Sequence, residues 1–280
     1  RTEAQKHRIV NEFIGLLVRM YDPGQTGIVG PRFQHNVRNA MLTVMALQDS
    51  TLIEVVRALT DKSYVQELLP HVKDPLVRNY WNNQIANTSD FHKSEILDYI
   101  VSKFSRFVGD QLVRNIVGQR ETTIDFREMM DRQQVLLVNL SKGKIGPENA
   151  QFLGLLLVQS LLITALSRAD VAPESRPDFF LYVDEFQNFA TDLFSTVLSE
   201  GRKYGVAVTM ANQYLTQLSH SIREAIFGNV GSIVSFRLGN QDAAALAPEL
   251  YPVFEVDYLL NLPKFTACVK LLVDGLASRP

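Results

Sequence analysis

The stretch FFLYVDEFQNF, residues 179–189, decides the fold. Its first five residues form an apolar run of strand length, and two carboxylates, Asp184 and Glu185, follow directly. A continuous apolar run bounded by polar residues is typical of a strand that is buried on both faces, as in a parallel sheet covered by helices. Ligands bind at the carboxyl ends of such strands, so this stretch predicts both a sheet and the place of a site.

Comparable apolar runs occur on both sides of this stretch, and helical patterns separate them. The runs cover residues 134–140, 206–211, 232–236 and 265–273. Alternating strands and helices predict an α/β domain with a parallel sheet. Residues before about 130 show only helical patterns; Pro31 predicts the start of one helix and Gly118 the end of another. We therefore predict an all-α domain over residues 1–130 and an α/β domain over residues 131–280.

The composition is that of an ordinary globular protein. Apolar residues make up 46% and charged residues 21% of the 280 residues, which excludes a disordered chain. The 28 Lys and Arg residues are balanced by 30 Asp and Glu residues, so a polyanion would have to meet a local basic patch. The single cysteine, Cys268, excludes an intrachain disulfide framework.

The longest uncharged stretch, residues 149–167, is interrupted by Gln159, Ser160 and Thr164. A bilayer span needs about 20 continuous apolar residues. We therefore predict a buried helix here, no membrane segment, and a soluble chain. The sequence opens without a methionine or a signal peptide, so further residues are expected upstream.

Polar residues follow several of the apolar runs, where a parallel sheet would bring them to one edge. Asp184 and Glu185 follow the run at 179–183, and Gln213 follows the run at 206–211. Lys142, Lys144 and Arg237 follow two others. A strand-end aspartate can bind Mg²⁺, and the adjacent glutamate can polarise a water for attack on a γ-phosphate. The alternative is that both acids cap the next segment at a solvent-exposed edge.

The order of these motifs resembles the carboxyl-terminal half of the HerA/FtsK superfamily of hexameric motor ATPases, most of all TraG/TraD-like conjugative coupling proteins and type IV secretion ATPases. The resemblance covers residues 134–273 and rests on FFLYVDEFQNF, SEGRKYG, MANQ and GSIVSFRLG. It implies a RecA/FtsK-like parallel-sheet P-loop NTPase core, here partial, preceded by an all-α domain. A helical domain inserted before the Walker B pair in that family would correspond to residues 1–130.

The resemblance also implies residue roles and partners. Asp184 would hold Mg²⁺, Glu185 would be the general base, and Gln213 would sense the γ-phosphate of ATP. Arg202 would be an arginine finger for a neighbouring subunit, and Arg237 would bind nucleotide. The implied partners are DNA passing through a hexameric ring and relaxosome or secretion-channel proteins. The implied location is cytoplasmic, at the inner face of the membrane through an upstream segment.

Three of these roles have structural alternatives. Arg202 also suits a cation at a helix end, stabilised by the helix dipole. Gln213 also suits a group that satisfies buried backbone, and Arg237 suits an ion pair with Asp242.

One departure from the family pattern is large. A P-loop reads Gly-x-x-x-x-Gly-Lys-Ser/Thr. The chain has one Gly-Lys, Gly143-Lys144, which is preceded by Val138 where glycine is required and followed by Ile145. We therefore expect the P-loop upstream of residue 1. Two other functions stay open: a docking or assembly module without hydrolysis, and a metal-dependent nuclease that uses Asp184 and Glu185, for which further strand-end carboxylates are missing.

Overall fold

The computed structural model describes residues 2–24 and 26–280, apart from the side chains of residues 90–95 and 192. The chain divides into two compact units: Arg1–Asp125 with Leu137–Leu157, and Phe126–Leu136 with Val158–Pro280. The single boundary near residue 130 that the sequence predicts differs from this division. Residues 137–157 join the first unit because Phe152, Leu153 and Leu155 are buried in its core.

The first unit is helical, as the sequence predicts. Its first helices are α1 (Glu3–Tyr21), α2 (Pro31–Val44), α3 (Leu52–Thr60), α4 (Lys62–Leu68), α5 (Pro75–Asn79), α6 (Asp90–Gly109) and α7 (Gln111–Val117). Pro31 is the first residue of α2, and Gly118 follows the last residue of α7, both as predicted. Thr2 and Thr51 cap α1 and α3 in reciprocal capping boxes, which satisfy backbone donors at these helix starts.

Two hydrogen bonds inside this unit satisfy polar groups that are buried away from water. Residues Tyr80–Ile85 continue α5 as a π-helix. Tyr80 donates its hydroxyl to Asn36 Oδ1 at 2.5 Å, and Trp81 donates its indole N–H to Thr43 Oγ1 at 2.7 Å. Buried polar groups that are hydrogen-bonded in this way cost little and fix the packing.

The remaining elements alternate helices and strands. They are α8 (Phe126–Asp131), α9 (Lys142–Ile145), α10 (Pro147–Ser167), β1 (Phe179–Val183), α11 (Asp192–Glu200), β2 (Val206–Met210), α12 (His220–Asn229), β3 (Ile233–Ser235), α13 (Asn240–Leu250), α14 (Val256–Leu260), β4 (Cys268–Lys270), β5 (Leu272–Val273) and β6 (Leu276–Ala277). Of these, α9 and the first half of α10 belong to the first unit.

The continuous parallel sheet that the sequence predicts is present only in part. β1 and β2 pair in parallel, with Phe179 opposite Val206 and Val183 opposite Met210. β3 pairs antiparallel with β4, and β5 pairs antiparallel with β6. The last two pairings depart from the prediction of parallel strands.

The strand predicted over residues 134–140 is wrong, because these residues form no regular structure. Val135 is 86% exposed and Leu137 is 89% exposed. A strand needs a hydrogen-bonded neighbour, and none of the described residues pairs with this run.

β1 is buried on one face rather than on two. Leu181 and Val183 pack in a core cluster with Phe186 and other apolar residues of the second unit. On the other face Phe180 is 59% exposed and Tyr182 is 72% exposed. The sheet therefore has one covered face and one bare aromatic face.

Among the described helices, one stretch, Pro147–Asp170, is long and apolar enough to cross a membrane by length and composition alone. More than half of its most apolar part is buried inside the protein. Core helices pass the same test, so the stretch is weak support for a membrane span.

Candidate functional site

The carboxyl ends of β1 and β2 lie side by side. The Ala211 N–H donates to Val183 O at 3.0 Å, and the Phe186 N–H donates to Ala211 O at 2.8 Å. The parallel pairing therefore continues past both strands as hydrogen bonds. It brings Asp184 and Glu185 next to Gln213, at the sheet edge where ligands bind in α/β folds. We call this place the carboxyl edge.

The backbone turns sharply at Glu185. This residue has a φ of 49° and a ψ of 44°, a left-handed conformation that is uncommon outside glycine. The turn is held on both sides. Before it, the Glu185 N–H donates to Asp184 Oδ1 at 2.9 Å, and after it, the Asn188 side chain donates to Glu185 O at 3.0 Å. Phe186, which is fully buried, anchors the following residues in the core.

Both carboxylate oxygens of Glu185 accept hydrogen bonds from side-chain amides. Gln213 Nε2 donates to Oε1 at 2.8 Å, and Gln187 Nε2 donates to Oε2 at 2.6 Å. The two bonds fix the orientation of the carboxylate between β1 and the residues after β2. The sequence singles out Gln213 but not Gln187, although Gln187 stands two residues after Glu185 in the quoted stretch.

Asp184 has hydrogen-bonding capacity left over. Its side chain is exposed, and within the described chain Oδ1 accepts the Glu185 N–H while no bond to Oδ2 is recorded. Two carboxylates and the amide oxygen of Gln213 form a set of hard oxygen ligands, which suits Mg²⁺. No group of three or more acids, cysteines or histidines clusters among the described residues. Mg²⁺ characteristically takes one or two carboxylates and completes its shell with water and substrate phosphates, so the residues fit this ion.

Arg202 lies at the opposite end of β2. It is exposed and belongs to the 3₁₀ turn Gly201–Tyr204, which immediately precedes the strand. Five strand residues, about 16 Å at 3.3 Å each, separate this turn from Gln213. Arg202 and the carboxyl edge are therefore not brought together within this chain.

Arg237 is not at the carboxyl edge of β1 and β2. Arg237 follows β3, which pairs with β4 rather than with β1 or β2. Arg237 is exposed, and among the described residues Asp242 Oδ1 is buried without a hydrogen-bond partner, so the structure does not show an ion pair between the two. Lys142 and Lys144 lie in α9, which belongs to the first unit. Their predicted convergence on this sheet depended on the strand over residues 134–140, which does not form.

Sequence reasoning missed a set of arginine contacts at the amino ends of the same two strands. Arg168 is fully buried, with its Nε 3.4 Å from Asp131 Oδ1, and it donates through Nη2 to Pro177 O. Burial lowers the pKa of the Arg168 guanidinium. Arg176 donates to three backbone carbonyls, those of Val171, Ala169 and Lys203. We call this place the amino edge. No sequence pattern signals contacts of this range.

Residues 178–248 match the family model described as the TraM recognition site of TraD and TraG. The match begins one residue before β1 and ends within α13, so it contains every candidate site residue, from Asp184 to Arg237. The resemblance to TraG/TraD-like proteins is confirmed over this segment. It covers about a quarter of the chain.

A solved structure shares the fold of nearly the whole chain. It is titled as the bacterial conjugative coupling protein TrwBdeltaN70, in a trigonal form in complex with sulphate. The TM-score is 0.60 at 16% sequence identity, and the match covers 95% of this chain and 66% of that chain. At this identity the likeness shows the fold of a conjugative coupling protein and nothing further. The comparison with curated proteins finds no match.

Proposed function

We propose that the chain is the carboxyl-terminal part of a Mg²⁺-dependent ATPase that moves DNA through a hexameric ring, of the conjugative coupling-protein type. The observation that carries this proposal is the hydrogen bond from Gln213 to Glu185 at the carboxyl edge. It joins the acid proposed as general base to the residue proposed as phosphate sensor, on adjacent parallel strands. The TraD/TraG match over residues 178–248 supports the same assignment.

Each residue at the carboxyl edge has a chemical task in this proposal. Asp184 would hold Mg²⁺, which neutralises the charge on the phosphate oxygens. Glu185, oriented by two amides, would accept the proton of the attacking water. Gln213 would exchange its bond to Glu185 for one to the γ-phosphate and so couple the nucleotide to movement. Arg237, which follows β3 and is not at the carboxyl edge, would contact nucleotide from a separate position.

Arg202 would serve a neighbouring subunit. It is exposed and lies at the amino edge, remote from the acids of its own chain. An arginine offered to the nucleotide of an adjacent subunit neutralises charge in the transition state. The proposal of a ring of subunits rests on this separation and on the resemblance.

The P-loop would come from polypeptide outside the 280 residues. The sequence contains no P-loop motif, and the chain matches 66% of the coupling-protein chain. The exposed apolar side chains of Val135, Leu137, Phe180 and Tyr182 support this proposal, because large apolar groups are normally covered in a complete α/β core. We propose that the parent protein is cytoplasmic and is held at the inner face of the membrane by a segment outside this chain.

The test uses a polypeptide that contains both residues 1–280 and the P-loop. It compares the DNA-stimulated ATP turnover of the Glu185→Gln variant with that of the unchanged sequence. A general base contributes about 10²- to 10⁴-fold, so DNA-stimulated ATP turnover should fall by that order. Glu224→Gln, which alters an exposed acid whose Oε2 lies 3.3 Å from His220 Nδ1, is the matched control and should leave turnover unchanged. Equal turnover in Glu185→Gln and the control would remove Glu185 from the mechanism.

A second candidate function is a docking module that binds a relaxosome protein without hydrolysing ATP. The observation that favours it is the family description, a TraM recognition site, over residues 178–248. Calorimetric titration of residues 1–280 separates the candidates. Tight Mg-ATP binding to this chain alone would exclude the purely docking function, whereas binding of a TraM-type protein without any nucleotide would support it.

A further inference from the structure

We propose that Arg176 is a positioning residue that holds Arg202 in the orientation needed to reach a neighbouring subunit. This inference rests on the proposed function, since it requires Arg202 to act as the arginine finger. It adds a residue to which neither the sequence motifs nor the family resemblance assigns a role.

The Arg176 guanidinium donates hydrogen bonds to backbone carbonyls in two separate segments of the chain. Its Nε donates to Val171 O at 2.7 Å, its Nη2 donates to Ala169 O at 3.4 Å, and its Nη1 donates to Lys203 O. One planar group thus joins the residues after α10 to the turn before β2. Arginine can do this because its five N–H groups point in fixed directions, which a lysine ammonium cannot reproduce.

The second step is the position of the last acceptor. Lys203 is the residue after Arg202, and both lie in the 3₁₀ turn Gly201–Tyr204. The guanidinium carbon of Arg176 also lies 5.8 Å from the ring centroid of Tyr204, within the range of a cation–π contact. Arg176 therefore contacts the two residues that follow Arg202, while the Arg202 side chain itself is exposed.

The third step is what else holds this turn. It is flanked by Gly201 and by Gly205, and Gly205 has a φ of +66°, which favours glycine. The Gly205 N–H closes the turn by donating to Arg202 O at 3.2 Å. A Cβ at Gly205 would lie 3.3 Å from Pro177 O, so the turn packs closely against the residues that carry Arg176. The Phe179 N–H also donates to Gly205 O at 2.8 Å, so backbone bonds hold the ends of the turn and Arg176 supplies the side-chain contact to its middle.

Loss of Arg176 should therefore loosen the turn and misplace Arg202, without altering the carboxyl edge. Misplacement of a catalytic group by about 1 Å can cost on the order of 10²-fold in rate. Loss of a group that acts only in the transition state lowers kcat and leaves the KM for ATP unchanged. A smaller folded fraction would also lower the apparent kcat at constant KM, so the double variant and mixed rings are needed to distinguish positioning from unfolding.

The experiment measures ATP turnover in the assembled ATPase with its P-loop. We expect Arg202→Ala to lower kcat about 10³-fold. We expect Arg176→Ala and Arg176→Lys each to lower kcat about 10- to 100-fold at constant KM. The double variant Arg176→Ala/Arg202→Ala should equal Arg202→Ala alone, because two residues that act through one group are not additive. Arg132→Ala, which removes an exposed arginine 2.9 Å from Glu128, is the control and should keep full turnover.

A mixing experiment separates positioning in trans from a folding defect. Subunits with Arg176→Ala keep an intact Glu185, and subunits with Glu185→Gln keep an intact Arg202. Mixed rings should regain part of the turnover that each variant lacks alone, because some interfaces combine both intact groups.

The outcomes are distinguishable. Unchanged turnover in Arg202→Ala would overturn the finger role in the proposed function, and this inference with it. Reduced turnover in Arg202→Ala, with full turnover in Arg176→Ala or Arg176→Lys, would overturn this inference alone. Additive losses in the double variant, or no recovery in mixed rings, would also assign Arg176 a purely structural part.

Discussion

The two edges of the β1–β2 pair use polar groups in opposite ways. At the carboxyl edge the Asp184 side chain is exposed, and the Glu185 carboxylate accepts hydrogen bonds from the neutral amides of Gln187 and Gln213. At the amino edge Arg168 is fully buried, and the Arg176 guanidinium donates hydrogen bonds to three backbone carbonyls. The fold therefore pairs Arg168 and Arg176 with its own groups at one edge, where Arg202 stays exposed, and leaves the acids at the other edge available for a ligand.

The largest expected effect tests whether Asp184 holds Mg²⁺. Asp184→Asn removes the proposed Mg²⁺ ligand, and ATP turnover in the complete ATPase should fall about 10³-fold, which corresponds to about 4 kcal/mol. Asp178→Asn is the matched control, because Asp178 is an exposed aspartate that flanks the other end of β1. Similar losses in both variants would mean that the two edges do not differ in function.

The next effect tests how much the buried Arg168 side chain contributes to stability. Arg168→Ala removes a fully buried large side chain and empties a packed volume, while Asp131 keeps its ion pair with Arg127, so the free energy of unfolding of the 280-residue chain should fall by about 2–5 kcal/mol. Urea denaturation measures it. The exposed Arg132, changed to alanine, should alter that free energy by about 0.5 kcal/mol or less. If Arg168→Ala lowers the free energy of unfolding no more than this control does, the burial of Arg168 contributes little to stability.

A smaller effect concerns the amide at the carboxyl edge. Gln213→Ala removes one hydrogen bond to a charged acceptor, worth about 1.5–3 kcal/mol, so turnover should fall about 10- to 100-fold. Gln217→Ala, which truncates an exposed glutamine four residues further along, should have no effect. If Gln213→Ala behaves like this control, the contact with Glu185 is not used in turnover.

The smallest effect is a pH dependence at the amino edge. Hydrogen bonding to Arg127, 2.7 Å away, holds the pKa of Asp170 below its usual range. A depressed carboxyl pKa adds stability above about pH 4, the ordinary value, and that stability is lost as pH falls through the lowered pKa. Asp170 is exposed, so solvent screening keeps the effect small.

Asp170→Asn should therefore lower the thermal midpoint slightly at neutral pH and by less at about pH 2, because the ion pair weakens as the pH falls through the lowered pKa of Asp170. Thermal unfolding followed by circular dichroism at the two pH values measures the difference. A midpoint difference that stays constant between them would contradict the assignment to this ion pair.

The sequence predicts the site better than it predicts the sheet. The apolar runs predict β1 and β2, and Pro31 predicts the start of α2, because each of these elements depends on residues that are close together in the chain. The strand-end rule then places Gln213 beside Glu185 without any knowledge of the contact. The run at 134–140 has the composition of a strand, but a strand also needs a partner, which composition does not supply. The contacts of Arg176 escape prediction because their acceptors are backbone oxygens, which any residue carries and no side-chain pattern marks.

The bare side of β1 has a practical consequence for handling the isolated chain. Phe180 and Tyr182 present aromatic rings to water beside an unpaired strand edge, and such surfaces adhere to one another in concentrated samples. Turbidity should therefore rise with protein concentration, and replacing both rings with serine should delay it. Preparations of these 280 residues are best kept dilute.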